Sequence, residues 1–382
     1  MADTSQLDLS RPELQRYSRH LILPEVGLAG QRKLRSARVL LVGVGGLGSP
    51  LGLYLAAAGV GTLGIVDDDI VDATNLQRQV IHGSEAVGTP KTESAATRIA
   101  ELNPHVTVEA HRVRLDASNA LDLVRRYDVV VDGSDNFTTR FAVNDACVLA
   151  GKPNIYGSVY RFEGQASVFD ATRGPCYRCL FSTAPPPGEI PSCAEGGVLG
   201  VLPGIIGLIQ ATETIKTILG IGETLIGRLL VFDALEMRFR TLNLRKDEDC
   251  PICGPQATIT SVIEEAVSCE PPERERRPDS IDPKTLHDRI ARGDRLALLD
   301  VREPAEREIA KLPNTFEIPL DDLPQRMSEI PRDREIVVYC LTGNRSARAA
   351  KLLRDAGYPL VRNLEGGIRA WTDLVDPTLT RY

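Results

Sequence analysis

Residues 38–66 read RVLLVGVGGLGSPLGLYLAAAGVGTLGIV. An apolar run from Arg38 to Val42 stops at Gly43-x-Gly45-Gly46-x-Gly48, small and apolar residues follow from Ser49 to Ala58, and a second apolar run spans Thr62 to Val66. The spacing predicts strand, tight loop, buried helix and strand, the opening of a parallel α/β sheet. Working outward, the same alternation predicts helix 90–102, strand 106–111, helix 117–126 and a strand from Asp128 to Val131. Further on, GVLGVLPGIIGLIQATETIKTILG predicts a buried helix, and LLVFDALEMRFRTLNL predicts paired strands that close the domain.

At 382 residues the chain exceeds what one hydrophobic core usually organises. The charged, proline-bearing stretch CEPPERERRPDS, Cys269 to Ser280, lacks an apolar period and is expected to belong to a linker. A new α/β pattern follows it: helix 283–292, strands Leu296 to Leu299 and Ile336 to Tyr339, and helix 346–356. The expected organisation is a first domain over 1–262, a linker over 263–280 and a small second domain over 281–382. With 42% hydrophobic and 25% charged residues the chain can bury a sizeable core, and no apolar run is long enough to span a membrane. A polar start without a signal core makes a cytoplasmic enzyme the expectation. A net charge of −7 argues against nucleic acid as partner.

The glycine loop offers backbone N–H groups to phosphates at a helix N-terminus, and Asp67, closing the next strand, stands where a carboxylate would accept ribose hydroxyls. Alone, this pattern favours a nicotinamide or flavin enzyme, or glycines that serve packing only. The residues that follow shift the balance: Thr74-Asn75-Leu76-Gln77-Arg78-Gln79, then Lys91, then Asp132-Gly-Ser-Asp135-Asn136. Two cations and a carboxylate suit nucleotidyl transfer, with Arg78 and Lys91 neutralising a triphosphate and Asp135 holding Mg2+.

These segments, with RYSRHLILPEVG and SCAEGGVLG, resemble the MoeB–ThiF family, bacterial relatives of ubiquitin-activating enzymes, from about Leu14 to Gly254. The resemblance implies a Rossmann-like adenylation domain in which Gly46, Asp67, Thr74 to Arg78, Lys91, Asp135 and Asn136 contact ATP. It also implies a homodimer in which Arg19 reaches the other subunit's site.

Cys176-Tyr-Arg-Cys179 and Cys250-Pro-Ile-Cys253 form two C-x2-C pairs separated by 70 residues. Four thiolates satisfy tetrahedral zinc, so a closed structural site is favoured over a redox dithiol, in accord with the resemblance. Cys193 stands apart in Pro-Ser-Cys-Ala-Glu-Gly-Gly, ahead of the buried helix. By itself it reads as a small buried hydrophobe or as a thiol activated by its surroundings. The resemblance implies that it attacks the activated carrier or resolves a disulfide. Cys147, in the expected helix NDACVLAG, reads as structural, and Cys269 lies in the linker without a visible partner.

In the second domain, Asp300-Val-Arg302-Glu303, Cys340-Leu-Thr-Gly-Asn-Arg345-Ser346 and Glu365-Gly-Gly-Ile-Arg-Ala-Trp371 resemble a rhodanese domain over roughly residues 281 to 376. Cys340 follows an apolar strand and begins a loop into a helix, where N–H groups, the helix dipole and Arg345 would favour an anion. A thiolate able to carry a persulfide is the consequence. A cysteine phosphatase is the competing reading, but the spacing is C-x4-R, and Tyr339 stands where a phosphatase has His. One departure puts an edge of the domain in question: Ala310-Lys311-Leu312-Pro313-Asn314 replaces the His-Ile-Pro-Gly common in this family.

Together the halves imply adenylation of the C-terminal glycine of a small ubiquitin-like sulfur carrier ending in Gly-Gly, then sulfur transfer from a Cys340 persulfide. The sulfur donor, thiosulfate or a cysteine desulfurase, stays open, as does whether Cys193 forms a thioester or resolves an acyl disulfide. Carriers of molybdopterin, thiamine, cysteine, tRNA-thiolation and sulfur-containing natural-product pathways all fit. The rival classes are an NAD-dependent oxidoreductase and a non-catalytic carrier-binding protein.

Overall fold

The computed structural model describes residues 9–183, 197–264 and 279–382. They divide into two compact units, 9–183 with 197–264, and 279–382. Cys193, Cys269 and all but the ends of the expected linker lie outside the described residues.

In the first unit the strands are β1 Arg38–Val42, β2 Thr62–Val66, β3 Thr107–His111, β4 Val129–Asp132, β5 Asn154–Tyr160, β6 Glu163–Phe169, β7 Arg228–Asp233 and β8 Arg238–Asn243. They form one sheet in the order β3-β2-β1-β4-β5-β6-β7-β8. Pairing is parallel from β3 through β5 and antiparallel from β5 to β8. Four of the five β1 residues are buried, as a strand covered on both faces requires.

The glycine loop is shaped by close approach. Gly43 sits at φ +85°, and a Cβ on Gly48 would lie 2.1 Å from the Gly43 carbonyl oxygen, so only glycine lets the helix Gly48–Ala58 start directly on β1. The helix Val201–Leu219 crosses beneath this region. Its Gln210 Nε2 donates to the carbonyls of Asp132 (2.8 Å) and Ile155 (3.0 Å), satisfying backbone acceptors within the core.

The second unit is a sheet of β9 Ser280–Ile281, β10 Leu296–Asp300, β11 Thr315–Glu317, β12 Glu335–Tyr339 and β13 Val361–Leu364, in the order β11-β10-β12-β13-β9. Every pairing in it is parallel. The Asp300-Val-Arg302 segment forms a fully buried ion pair, with Arg302 Nε donating to Asp300 Oδ1 at 2.9 Å. Arg302 also donates to the Ala310 carbonyl at 2.8 Å and to the Tyr382 hydroxyl. The Ala310 to Asn314 segment is therefore tied to the sheet from inside. The Leu312 N–H donates to the Tyr339 hydroxyl at 3.3 Å, Asn314 takes the left-handed conformation at φ +55°, and β11 then pairs with β10.

Candidate functional site

The strand order of the first sheet reverses at β1, with β2 and β3 on one side and β4 onward on the other. Loops leaving the C-terminal ends of β1 and β4 part there, the usual ligand position in open α/β sheets. A cavity of about 380 Å³ occupies the crevice. Its lining brings together Gly43, Gly45, Gly46, Asp67, Asn75, Arg78, Lys91, Asp135 and Asn136.

The other expected nucleotide contacts lie outside this lining. Gly48 packs beneath the loop against Gly43, and Thr74 Oγ1 donates to Asp72 Oδ1 at 2.6 Å in a local turn. Leu76 is half-buried, and Gln77 backs onto Gly200, where a Cβ would lie 2.2 Å from its Oε1. Arg19 is exposed on the helix Ser18–Leu21.

Within the crevice, Asp67 accepts from the Val44 N–H (2.9 Å) and the Asp69 N–H (3.0 Å). Burial pushes its carboxyl above the ordinary range, with Lys91 and these two hydrogen bonds pulling the other way. Lys91 is 5% exposed, and its Nζ pairs with Asp69 Oδ2 at 2.8 Å. Arg78 donates to the Thr74 carbonyl at 3.3 Å, which fixes it over the loop it follows. Asn136 caps the helix Phe137–Ala150 by accepting from the Thr139 N–H at 2.9 Å. Asp135 is exposed, and among the described residues its carboxylate has neither a hydrogen bond nor an ion pair. Mg2+ needs one or two carboxylates beside substrate phosphates, and this free carboxylate fits that need. The side-by-side carboxylates of Asp67, Asp68 and Asp69 are a second candidate cluster.

In the second unit, Cys340 is 1% exposed at the end of β12. Its Sγ lies 3.1 Å from the Gly343 N–H and 3.3 Å from the Ser346 hydroxyl, two donors suited to a thiolate. Gly343, at φ +102°, supplies the bend. A Cβ on Gly367 would lie 2.4 Å from the Cys340 carbonyl oxygen, so the Glu365-Gly-Gly segment closes on this loop. Arg345 meets Glu306 through two hydrogen bonds, 2.7 and 2.6 Å, so its charge is matched by a carboxylate instead of being reserved for the sulfur. Burial works against the Glu306 charge, but Arg345 outweighs it and holds that carboxyl below its ordinary range.

The four cysteines of the two C-x2-C pairs converge, with Sγ separations of 3.9 Å for Cys176–Cys179, 3.6 Å for Cys176–Cys250 and 3.4 Å for Cys179–Cys253. Tetrahedral zinc at ~2.3 Å from each sulfur requires sulfurs about 3.8 Å apart. The arrangement fits the ion. Hydrogen bonding to Cys179 raises the Cys176 thiol, and the same contact holds Cys179 down to about 5.

The ThiF family model matches residues 17–252, and the rhodanese-like domain model matches residues 282–374. The chain belongs to the ThiF family. It is 49% identical over 98% of its length to "Probable adenylyltransferase/sulfurtransferase MoeZ" of Mycobacterium tuberculosis, 96% of which is covered. It is 44% identical, over 98% of its length and 89% of the relative, to "Adenylyltransferase and sulfurtransferase MOCS3" of Bos taurus. Among solved structures, E. coli MccB with its MccA-N7isoASN shares the fold at TM-score 0.57 and 24% identity, over 63% of this chain and 74% of that one. The ThiF-type Rossmann-like unit and the rhodanese-like unit thus make the α/β architecture expected from the motifs.

Of two buried groups beside the ThiF crevice, Asp132 was legible only as part of the Asp132-Gly-Ser-Asp135-Asn136 motif, and Arg140 not at all. Arg140 lines it, 7% exposed, and donates to the Ser134 carbonyl at 3.1 Å. Asp132 accepts from the Ser134 N–H (3.0 Å) and hydroxyl (2.6 Å). Together they fix the turn that presents Asp135. Near the cysteine cluster, the buried pair Arg178–Asp145, at 2.7 and 2.8 Å, joins the Cys176–Cys179 knuckle to the helix Phe137–Ala150.

A cysteine quartet removed from the crevice lining should act on stability. Purified protein is expected to carry one zinc per chain by elemental analysis. Cys250→Ser should lower the zinc content and Tm together, while molecules that remain folded retain their rate of ATP–pyrophosphate exchange.

Proposed function

We propose that the chain is an ATP-dependent adenylyltransferase and sulfurtransferase that converts the C-terminal glycine of a small ubiquitin-like sulfur carrier ending in Gly-Gly into a thiocarboxylate. In this account residues 1–262 are the adenylation domain, 263–280 a linker and 281–382 the sulfurtransferase domain. The observation that carries the reading is the gathering of the glycine loop, Arg78, Lys91 and Asp135 around one crevice, in a chain that also presents Cys340 to two hydrogen-bond donors. An NAD-dependent enzyme has no use for that charge set.

The carrier carboxylate, already ionised at pH 7, needs no general base. Its oxygen attacks the α-phosphorus of ATP, and pyrophosphate leaves. The glycine loop N–H groups, Arg78, Lys91 and the partner's Arg19 in a homodimer hold the phosphate charge as it builds. Mg2+ held through Asp135 would supply further charge compensation there. The product is an acyl-adenylate.

The terminal sulfur of a Cys340 persulfide, loaded from thiosulfate or from a cysteine desulfurase, then attacks the acyl carbon and expels AMP. The Cys193 thiolate attacks the Cys340 sulfur of the resulting acyl disulfide, releasing the thiocarboxylate and leaving a Cys193–Cys340 disulfide for a thiol reductant. Zinc at Cys176, Cys179, Cys250 and Cys253 serves the fold. Among the described residues no helix is long and apolar enough to cross a membrane, and we place the reaction in the cytoplasm.

Carrier-dependent exchange of labelled pyrophosphate into ATP tests the first half. Exchange that appears only with a carrier ending in free Gly-Gly supports it; exchange absent with every such carrier overturns it.

A further inference from the structure

The helix Gly367–Leu374 rests its first turn on the Cys340 loop: the Ile368 N–H donates to the Cys340 carbonyl at 2.8 Å, and the Arg369 N–H donates to the Leu341 carbonyl at 3.1 Å. Arg369 thereby stands on the element that closes over the nucleophile. Around the same sheet, Arg302, Arg345, Arg354 and Arg362 each meet a carboxylate. Arg369 does not. Among the described residues its guanidinium makes no ion pair and no hydrogen bond, although it is only half-exposed and its Nε is buried without an acceptor.

A half-buried guanidinium left without an acceptor is under-satisfied in the resting protein, and an oxyanion is the ligand that completes it. The two acidic residues nearest along the chain, each four positions away, are engaged elsewhere: Glu365 with Ser280, and Asp373 with Arg381. Arg345, the cation within the loop itself, is matched by Glu306. Among the described residues, the uncommitted, partly buried positive charge on the helix that rests on the Cys340 loop is therefore that of Arg369.

We propose that Arg369 is a specificity-determining residue that binds the oxyanion end of a small dianionic sulfur donor of the thiosulfate class. The step balances without an outside oxidant. The Cys340 thiolate attacks the sulfane sulfur of thiosulfate, a new S–S bond forms on Cys340, and the S–S bond of thiosulfate breaks. Sulfite leaves with the bonding electron pair, and its charge stays with Arg369 as it develops. A persulfide delivered on another protein's cysteine carries no such oxyanion and makes no use of this group. The inference rests on the reading of Cys340 as the persulfide-forming nucleophile, and concerns only how that cysteine is loaded.

The test uses the full chain without ATP or carrier, measuring thiocyanate formed from thiosulfate and cyanide. A parallel assay loads Cys340 from a cysteine desulfurase supplied with cysteine. Arg369→Ala is expected to lower kcat/KM for thiosulfate about 10- to 100-fold, mainly through KM, with Arg369→Lys falling less. Loading from the desulfurase should persist. Arg348→Ala, removing an exposed arginine from the helix after the loop, should stay within about twofold of wild type. Equal losses with both donors, an equal loss in Arg348→Ala, or an unchanged KM in Arg369→Ala would overturn the assignment. Wild-type protein that accepts sulfur from the desulfurase but not from thiosulfate would overturn it too, while leaving the Cys340 reading intact. No loading from either donor would remove that reading as well.

Discussion

Cys340→Ala is expected to abolish carrier thiocarboxylate, by more than about a thousandfold, while carrier-dependent ATP–pyrophosphate exchange continues near the wild-type rate. The reason lies in the division of labour. As proposed, carboxylate activation draws on the crevice between β1 and β4, whose lining among the described residues contains no cysteine. Sulfur delivery, as proposed, draws on the Cys340 sulfur, which meets the Gly343 N–H and the Ser346 hydroxyl. Removing the sulfur removes the nucleophile itself, so no residual pathway of similar rate remains. Acyl-adenylate should accumulate, or turn over slowly to AMP by hydrolysis, and mass spectrometry of the carrier distinguishes these fates from sulfur incorporation. Loss of exchange in this variant would mean that the two halves are not separable in the way proposed.

The converse variant, Asp135→Asn, should cut carrier-dependent exchange by about 100- to 1,000-fold and leave thiosulfate-to-cyanide transfer unchanged. Asp135 has a free carboxylate in the crevice, on a turn fixed by Asp132 and Arg140. The amide keeps the shape and hydrogen-bonding capacity of the side chain but loses the charge that a hard cation requires. If Asp135 held only the turn, Asn would serve nearly as well. The expected loss should be partly recovered by raising Mg2+, a response that a folding defect would not give.

Much of this was legible in the sequence wherever local chemistry dictates geometry. Gly43-x-Gly45-Gly46-x-Gly48 between two apolar runs leaves little alternative to strand, loop and helix, and β1 and β2 begin and end where the apolar runs do. The cysteine pairs were equally readable, because a two-residue spacer has one common purpose when repeated. The β5–β6 hairpin was harder. Its turn carries Arg161 at φ +52°, with no Asn-Gly or Asp-Gly at the bend to announce it. The helix Phe137–Ala150 was legible only from Asn144 on, because it is buried almost all round, with Arg140, Asn144 and Asp145 inside, so no polar face marked its period. Those same buried polar groups explain why Arg140 and the Arg178–Asp145 pair went unseen: their partners, Ser134 on a loop and Arg178 on the cysteine knuckle, are brought together only by the fold. Nor does sequence spacing show that Arg345 is matched by Glu306, which lies 39 positions away, leaving the uncommitted charge on Arg369.

One chain is thus proposed to couple adenylation to sulfur transfer on a carrier's terminal glycine. The most direct test of this coupling is the intact mass of candidate carriers ending in Gly-Gly after incubation with this protein, Mg2+-ATP, thiosulfate and a thiol reductant. The expected result is a gain equal to replacement of one oxygen by sulfur, dependent on ATP and lost with Cys340→Ala. An unchanged carrier mass, with no AMP formed from ATP in the presence of any such carrier, would contradict it.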